Sequence, residues 1–222
     1  MINAVLFDLD GTLADTALDL GGALNVLLRQ RGLPERDIAD LRVHASHGSA
    51  ALIGFALNIA PDHPDFERWR QDYLAAYEQC FTQNPVLFDG VNELLGELAA
   101  RGIKWGIITN KPATFTDRLV PHLNFATPPS VVVSGDTCDE AKPSVKPMLY
   151  ACEKLGVLPE HCLYVGDAQR DMQAGKNAQM HTVLAEWGYI APNDDVDSWL
   201  WDYSARSVWE VLDIVDIICS QD

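Results

Sequence analysis

Two aspartates near the start of the chain, Asp8 and Asp10, follow a short apolar run in the segment AVLFDLDGT, residues 4–12. The run predicts a buried strand, because it is short, apolar and ended by a glycine turn signal. Buried carboxylates are costly unless a cation pairs with them, and hard divalent metals such as Mg²⁺ prefer oxygen ligands. Gly11 permits a sharp turn, and Thr12 offers a hydroxyl and a backbone N–H. The alternative is a strand followed by a polar turn in which an aspartate caps a helix.

Three further apolar runs, at residues 103–108, 130–133 and 163–165, also end on polar side chains or in polar loops. Those side chains are Thr109 and Asn110, then Lys142, and finally Asp167 and Asp171. Ligands of open α/β sheets bind outside the carboxyl ends of the strands, so we expect all four segments to meet at one site. Taken singly, each residue has an ordinary reading as a helix cap or a solvated surface charge. Their order along the chain favours the shared site.

Strand and helix patterns alternate from residue 89 onward, which predicts an α/β fold with a doubly wound, Rossmann-like parallel sheet. The predicted helices of this part lie at residues 89–101, 112–123, 145–155, 169–178 and 207–218; the fourth apolar run forms a strand at residues 162–165, and one further strand lies at residues 182–184. Residues 14–86 break the alternation and show helical patterns only, at residues 16–31, 49–58 and 65–82. We therefore predict a catalytic core of residues 1–13 and 87–222 with an inserted helical cap of residues 14–86. The alternative is a helical face packed permanently on the sheet.

The motif order Asp-x-Asp-Gly-Thr, Thr-Asn, Lys-Pro and Gly-Asp-x-x-x-Asp resembles that of the haloacid dehalogenase superfamily, in particular its phosphoglycolate phosphatase-like branch. The resemblance runs from residue 4 to about residue 183. It implies a Mg²⁺-dependent phosphatase that hydrolyses a small phosphorylated metabolite through an aspartyl-phosphate intermediate. The implied substrate is phosphoglycolate or a sugar phosphate such as N-acetylmuramic acid 6-phosphate, and the segments at residues 88–90, 105–112 and 187–190 favour the latter.

The resemblance also implies a role for each motif residue. Asp8 is the expected nucleophile, and Asp10 is the expected general acid and base. Lys142 is expected to neutralise Asp8 and the transferring group. The implied phosphate-binding residues are Thr109, Asn110 and Lys142, and the implied metal ligands are Asp8, Asp10 (through its backbone carbonyl), Asp167 and Asp171.

A polar loop is expected at residues 42–49, where related caps present a substrate loop. His44, Ser46 and His47 in this segment could contact sugar hydroxyls. The alternative is an ordinary connection between helices, in which Ser49 caps the next helix.

The formal net charge of −16 argues against nucleic acid as a partner, because phosphate backbones require basic surfaces. A phosphate monoester is also an anion, which the negative charge of the chain would repel. We therefore expect local cations to make the electrostatic potential at the site positive, namely Mg²⁺, Lys142, Lys111 and Arg170. No apolar run reaches the roughly 18 residues of a membrane span, and no basic leader precedes the first strand. We therefore expect a cytoplasmic monomer or homodimer without a membrane partner.

The chain has five cysteines, an odd number, and no Cys-x-x-Cys motif. This pattern disfavours a disulfide framework or a zinc site.

Two other functions fit the same fold. A phosphosugar mutase would keep the aspartyl-phosphate long enough to return the phosphoryl group to its substrate. A non-catalytic binding or regulatory protein would be expected to lack at least one of Asp8, Asp10, Lys142 or Asp167, and this chain has all four.

Overall fold

The computed structural model describes residues 1–220. Its strands are β1 (Ala4–Phe7), β2 (Ala14–Asp15), β3 (Val86–Leu87), β4 (Lys104–Ile108), β5 (Val131–Val133), β6 (Cys162–Gly166), β7 (His181–Ala185) and β8 (Tyr203–Ala205). Six of them form one sheet in the order β5-β4-β1-β6-β7-β8. All neighbouring pairs in this sheet are parallel. The predicted α/β class with a parallel sheet is confirmed.

The central strand β1 is buried on both faces, as expected of a parallel strand covered by helices on each side. Val5 and Phe7 belong to the apolar cluster on one face, whereas Ala4 and Leu6 belong to the cluster on the other. Successive side chains of a strand point to opposite faces, so a continuous apolar run serves both layers.

The helices are α1 (Ala17–Gln30), α2 (Ile38–Ala45), α3 (Gly48–Leu57), α4 (Phe66–Glu78), α5 (Val91–Ala100), α6 (Ala113–Leu119), α7 (Lys146–Leu155), α8 (Gln169–Asn177) and α9 (Glu210–Cys219). Helices α5 to α8 alternate with the strands of the sheet, as the sequence pattern indicates. Within residues 1–220, every helix is too short or too polar to span a membrane.

Helices α1 to α4 form a block that the chain reaches through β2 and leaves through β3. These two strands pair in antiparallel fashion, with Ala14 opposite Leu87 and Asp15 opposite Val86, so the two connections run side by side. Inside the block α1 packs against α2 and α4. The helical character of this segment agrees with the sequence pattern, and its separation as a cap domain of residues 14–86 stays a prediction.

Four elements differ from the sequence expectation: helix α2 and the strands β2, β3 and β8, of which the two-residue β2 and β3 lie at the ends of the segment expected to be helical only. Residues 42–45 were expected in a loop and instead form the end of α2, which Asp37 caps by accepting the Ala39 N–H at 2.8 Å. Only Leu41 and Ala45 of this short helix are buried, so its apolar periodicity is weak. Strand β8 was not expected either. It is three residues long and lies at the sheet edge, where pairing with β7 rather than local pattern determines its conformation.

Candidate active site

Four predicted site residues follow the carboxyl ends of adjacent strands. Asp8 follows β1, Thr109 follows β4 and Asp167 follows β6, whereas Lys142 lies in the loop after β5. All four are buried, with 1–3% of their surface exposed. The expected convergence at this edge of the sheet is present, because the carboxyl ends of parallel strands lie together.

Asp8 is held by the backbone and by two cations. Its Oδ1 accepts the Leu9 N–H at 2.8 Å and lies 3.0 Å from Lys142 Nζ. Its Oδ2 lies 3.7 Å from the Arg170 guanidinium. Burial raises the pKa of Asp8 above its ordinary value, although Lys142 and Arg170 oppose that effect.

Lys142 has no exposed side-chain surface. Its Nζ lies 2.7 Å from Asp171 Oδ1 and donates at 2.8 Å each to the Ile108 carbonyl and the Tyr164 hydroxyl. A buried ammonium needs such partners, and here the carboxylates of Asp8 and Asp171 share it. Tyr164 was not predicted, since a tyrosine inside a buried strand carries no site signal of its own.

Asp8, Asp167 and Asp171 form a buried carboxylate cluster, in which one oxygen from each lies within 4.8 Å of the others. Burial raises the pKa of Asp167 to about 7, and the negative charges of Asp8 and Asp171 add to the effect. A compact set of buried oxygen ligands with excess negative charge fits a hard divalent cation. Asp8, Asp167 and Asp171 are therefore the groups that could hold a divalent metal ion.

Asp171 has further contacts. Its Oδ1 faces Lys142, and its Oδ2 accepts the Ala168 N–H at 3.0 Å, which orients the start of α8. Burial raises the pKa of Asp171, but Lys142 and Arg170 outweigh this and hold the pKa below its ordinary value. Its predicted role in supporting the metal, directly or through water, stays a prediction.

Asp10 points away from the carboxylate cluster. Its Oδ1 accepts the Thr16 hydroxyl at 2.5 Å, and both its oxygens lie within 3.1 Å of Lys111 Nζ. Gly11 makes this separation possible with a φ of 88°, and a Cβ there would lie 2.2 Å from Asp167 Oδ2. Because any other residue would be strained and would collide with Asp167, the turn requires glycine. The sequence indicated Lys111 as a local cation, but not as the partner of Asp10.

Thr109 and Asn110 both line the cavity in front of Asp8. Thr109 Oγ1 accepts the Lys111 N–H at 3.1 Å. The Asn110 amide bonds both backbone groups of Lys142, at 2.9 and 3.0 Å, and so holds the loop that carries this lysine. The predicted contacts of Thr109 and Asn110 with phosphoryl oxygens stay predictions.

The three polar residues predicted on the cap differ in position. The Ser46 hydroxyl donates to Asp167 Oδ2 at 2.6 Å, and His47 Nδ1 lies 3.3 Å from the Arg170 guanidinium. Burial and Arg170 lower the pKa of His47. His44 instead stacks on Phe55 with 4.3 Å between ring centroids, and it is not among the residues that line the cavity. The structure therefore brings Ser46 and His47, but not His44, to the core site.

Gly188 and Tyr189 support the site without having been predicted there. The Tyr189 N–H donates to Asp167 Oδ2 at 2.8 Å, and its hydroxyl donates to Asp15 Oδ1 at 2.8 Å. A Cβ on Gly188 would lie 2.2 Å from Asp167 Cβ, so the backbone approaches as closely as only glycine allows. The sequence feature that could have indicated Gly188 and Tyr189 is their position after β7, at the same edge of the sheet as the other motifs.

A cavity of about 580 Å³ lies between this sheet edge and the helical block. Its core wall includes Asp8, Asp10, Thr109, Asn110, Lys111 and Arg170, and its helical wall includes residues 45–50 together with Arg70, Tyr73 and Tyr77 of α4. A space of this size suits a small-molecule ligand.

Comparison with known proteins agrees with this geometry. Residues 5–185 match the haloacid dehalogenase-like hydrolase family. The chain is 34% identical to an N-acetylmuramic acid 6-phosphate phosphatase of Pseudomonas aeruginosa, over 97% of this chain and 95% of that protein. It is 41% identical to a phosphoglycolate phosphatase of Xanthomonas campestris pv. campestris, over 93% of this chain and 95% of that protein. A crystal structure of a predicted phosphoglycolate phosphatase from Haemophilus somnus superposes with a TM-score of 0.83 at 25% identity, covering 96% of this chain and 98% of the other.

Proposed function

The chain belongs to the haloacid dehalogenase-like hydrolase family and is an enzyme of its phosphatase type, and from this premise we propose that it hydrolyses a small phosphate monoester through a phosphorylated Asp8. The proposed substrates are phosphoglycolate or a sugar phosphate such as N-acetylmuramic acid 6-phosphate, the compounds named for its relatives. The proposed cofactor is Mg²⁺.

One observation carries the proposal: the Asp8 carboxylate lines the cavity, with the buried Lys142 ammonium 3.0 Å from one oxygen and Arg170, which also lines the cavity, 3.7 Å from the other. A carboxylate held in this way is oriented toward an incoming phosphorus atom. The cations beside it can balance charge on the transferring phosphoryl oxygens, which is most of what phosphoryl transfer requires of a protein.

In the first step, Asp8 attacks phosphorus and the bond from phosphorus to the alcohol oxygen breaks. Asp10 gives its proton to that oxygen, so the alcohol leaves neutral. Asp10 lines the same cavity, and its ion pair with Lys111 must exchange for contacts with the substrate. Lys111 is then placed to contact the phosphoryl oxygens.

In the second step, Asp10 accepts a proton from water as the water attacks the phosphorylated Asp8. The new bond to phosphorus forms while the acyl phosphate bond breaks, which releases inorganic phosphate, restores the Asp8 carboxylate and returns Asp10 to its protonated form.

Asp8, Asp167 and Asp171 would hold the metal, together with the Asp10 carbonyl that the resemblance implies. When bound, a divalent cation supplies charge neutralisation and orients the phosphoryl oxygens. Burial first, and the charges of Asp8 and Asp171 second, raise the pKa of Asp167 to about 7, so a cation bound beside it would stabilise its ionised form.

We propose that the helical block of residues 14–86 acts as a cap over the cavity. Ser46 and His47 reach across to Asp167 and Arg170, so the block closes the site from the helical side. A closed cap excludes water other than the attacking molecule and strengthens the electrostatic contacts inside.

The test is phosphate release from both proposed substrates by the wild type, by Asp8→Asn and by the control Asp117→Asn, which changes an exposed aspartate on α6. Wild type and control should turn over with Mg²⁺ and stop in EDTA. Asp8→Asn should be inactive, and only the proteins that retain Asp8 should show acid-stable phosphorylation of the peptide that contains it.

Near-wild-type phosphate release by Asp8→Asn would place the nucleophile elsewhere. Full turnover after exhaustive chelation would remove Mg²⁺ from the proposal. Conversion to an isomeric ester in place of free phosphate would indicate the mutase.

A further inference from the structure

Three hydrogen-bond donors approach the carboxylate of Asp167, and they come from different parts of the chain. The Tyr189 N–H donates to Oδ2 at 2.8 Å, and the Thr12 hydroxyl donates to Oδ1 at 3.4 Å. Both of these donors belong to the core. The third is the hydroxyl of Ser46, which donates to Oδ2 at 2.6 Å from the connection between α2 and α3. Of the three contacts, the one made by Ser46 depends on where the helical block lies.

Ser46 is carried by the packing of that block. It follows α2 directly, and Leu41 and Ala45 of this helix are buried in the apolar cluster. Helix α2 packs in turn against α1 and α3. Interiors packed in this way transmit displacements rather than absorb them. Movement of the block away from the sheet edge would therefore withdraw the Ser46 hydroxyl from Asp167 and leave the two core donors in place.

The contact between Ser46 and Asp167 has the geometry of a strong hydrogen bond. An O–H group that donates to an ionised carboxylate forms a short, charge-assisted bond, roughly twice as strong as one between neutral groups. Asp167 is 1% exposed, so water has little access to replace the hydroxyl while the block is in place. Loss of the donor would leave a buried carboxylate oxygen less well satisfied.

Asp167 is also one of the three carboxylates that could hold a divalent metal ion. A carboxylate accepts through two oxygens, so the two short bonds to Oδ2 fix its orientation and leave Oδ1 with capacity for a cation. Hydrogen bonds to a ligating group orient it for the metal, and losing one typically costs about 10–100-fold in metal affinity or activity. The Ser46 hydroxyl is such a partner, and it is supplied by the helical block.

We propose that Ser46 is a positioning residue for the metal ligand Asp167, so that the closed position of the helical block and metal binding stabilise each other. The inference rests on the metal site of the proposed function and goes beyond it by linking that site to the cap. If the closed block raises the metal affinity by some factor, a bound metal must favour the closed block by the same factor, because such coupling is reciprocal.

The first measurement is the Mg²⁺ dissociation constant of the full chain, obtained by calorimetry without substrate. Ser46→Ala should raise it about 10–100-fold relative to the wild type, the cost of removing a partner of a metal ligand. Ser49→Ala is the matched control, because Ser49 lines the same cavity but is not a donor to Asp167. It should leave the Mg²⁺ affinity unchanged. Equal or tighter Mg²⁺ binding by Ser46→Ala, or equal losses in the two variants, would overturn the proposal.

The second measurement is hydrogen exchange of residues 41–53, which cover the end of α2, the connection and the first part of α3. Exchange reports local opening, and saturating Mg²⁺ should slow it in the wild type and in Ser49→Ala. In Ser46→Ala the slowing by Mg²⁺ should be much smaller. A purely structural role of Ser46 predicts instead faster exchange by the same factor with and without Mg²⁺, and that result would overturn the link.

Both measurements are made without turnover, which separates this inference from the proposed reaction. If no ester releases phosphate while Ser46→Ala still weakens Mg²⁺ binding, the proposed reaction fails and the role of Ser46 stands. If turnover requires Mg²⁺ while wild type and Ser46→Ala bind it equally, the role of Ser46 fails and the proposed reaction stands. A wild type that binds no Mg²⁺ would overturn the inference together with the metal site.

Discussion

Replacing Lys142 with methionine tests the electrostatic centre of the site. Methionine keeps the approximate length of the side chain and removes its charge. The wild-type Nζ lies 3.0 Å from Asp8 and 2.7 Å from Asp171, and it also bonds the Ile108 carbonyl and the Tyr164 hydroxyl. The side chain is fully buried, so water cannot replace it without local opening.

The expected cost follows from these contacts. Removing one partner of a buried ion pair typically destabilises a protein by about 3–5 kcal/mol, because the other charge stays buried and unpaired. Arg170 still lies near Asp8, at 3.7 Å, which favours the middle of that range. A loss of about 4 kcal/mol lowers Tm by roughly 8–16 °C in a chain of this size.

The measurement is thermal and urea unfolding in EDTA, compared with the control Lys176→Met. Lys176 pairs with Asp202 at 2.6 Å, but the side chains are 39% and 29% exposed, so its loss should cost less than about 1 kcal/mol. Lys142→Met should also abolish phosphate release. A Lys142→Met protein within about 1 kcal/mol of wild type at pH 7.5 would refute the reasoning.

The deficit of Lys142→Met should shrink as the pH falls. In the wild type the folded-state pKa of Asp171 is depressed, so its contribution is present above its unfolded value and is lost as the pH falls through the folded value. In the variant, burial without Lys142 raises that folded-state pKa, and protonation then relieves the buried charge. Both effects reduce the difference in unfolding free energy between wild type and Lys142→Met toward acid pH. A difference that grows at acid pH would contradict the ion pair between Lys142 and Asp171 as its cause.

Three further outcomes are expected. Asp167→Asn should stabilise the metal-free protein at pH 8 by on the order of a few kcal/mol, because a carboxyl whose folded-state pKa is raised, here to about 7, costs stability as the pH rises toward that value. The gain should disappear near pH 4, and the same difference in Tm between variant and wild type at both pH values would contradict the prediction. Asp10→Asn should lose about 10²–10⁴-fold in kcat while it still binds Mg²⁺ by calorimetry, and unchanged kcat would exclude Asp10 as the acid and base. His47→Ala should weaken turnover of the native sugar phosphate while sparing an aryl phosphate, whereas His44→Ala should change neither, since of these two histidines His47 alone lines the cavity. Equal effects of the two variants would mean that residues 44–47 have a structural role.

The strand-end motifs were predictable because they depend on local pattern plus one topological rule. Strand β1 begins and ends where the apolar run does, and β4, β5, β6 and β7 lie within one or two residues of their predicted bounds. Parallel strands place their carboxyl ends at one edge, so the order of the motifs already implied that Asp8, Lys142 and Asp167 meet. Helix α2 and strand β8 were missed because both are short and only part of each is buried.

By itself the sequence determined the fold class, the family resemblance and the residues that surround Asp8, since these follow from apolar periodicity and the positions of carboxylates after strands. Only the tertiary structure decided which distant groups complete the site. Ser46 meets Asp167 across 121 positions, and Lys111 meets Asp10 across 101. Tyr77 and Arg70 look like ordinary positions of an amphipathic helix until α4 lies against the cavity. The physical reason is that side-chain partners across a cavity depend on how separate elements pack, and local periodicity carries no information about that packing.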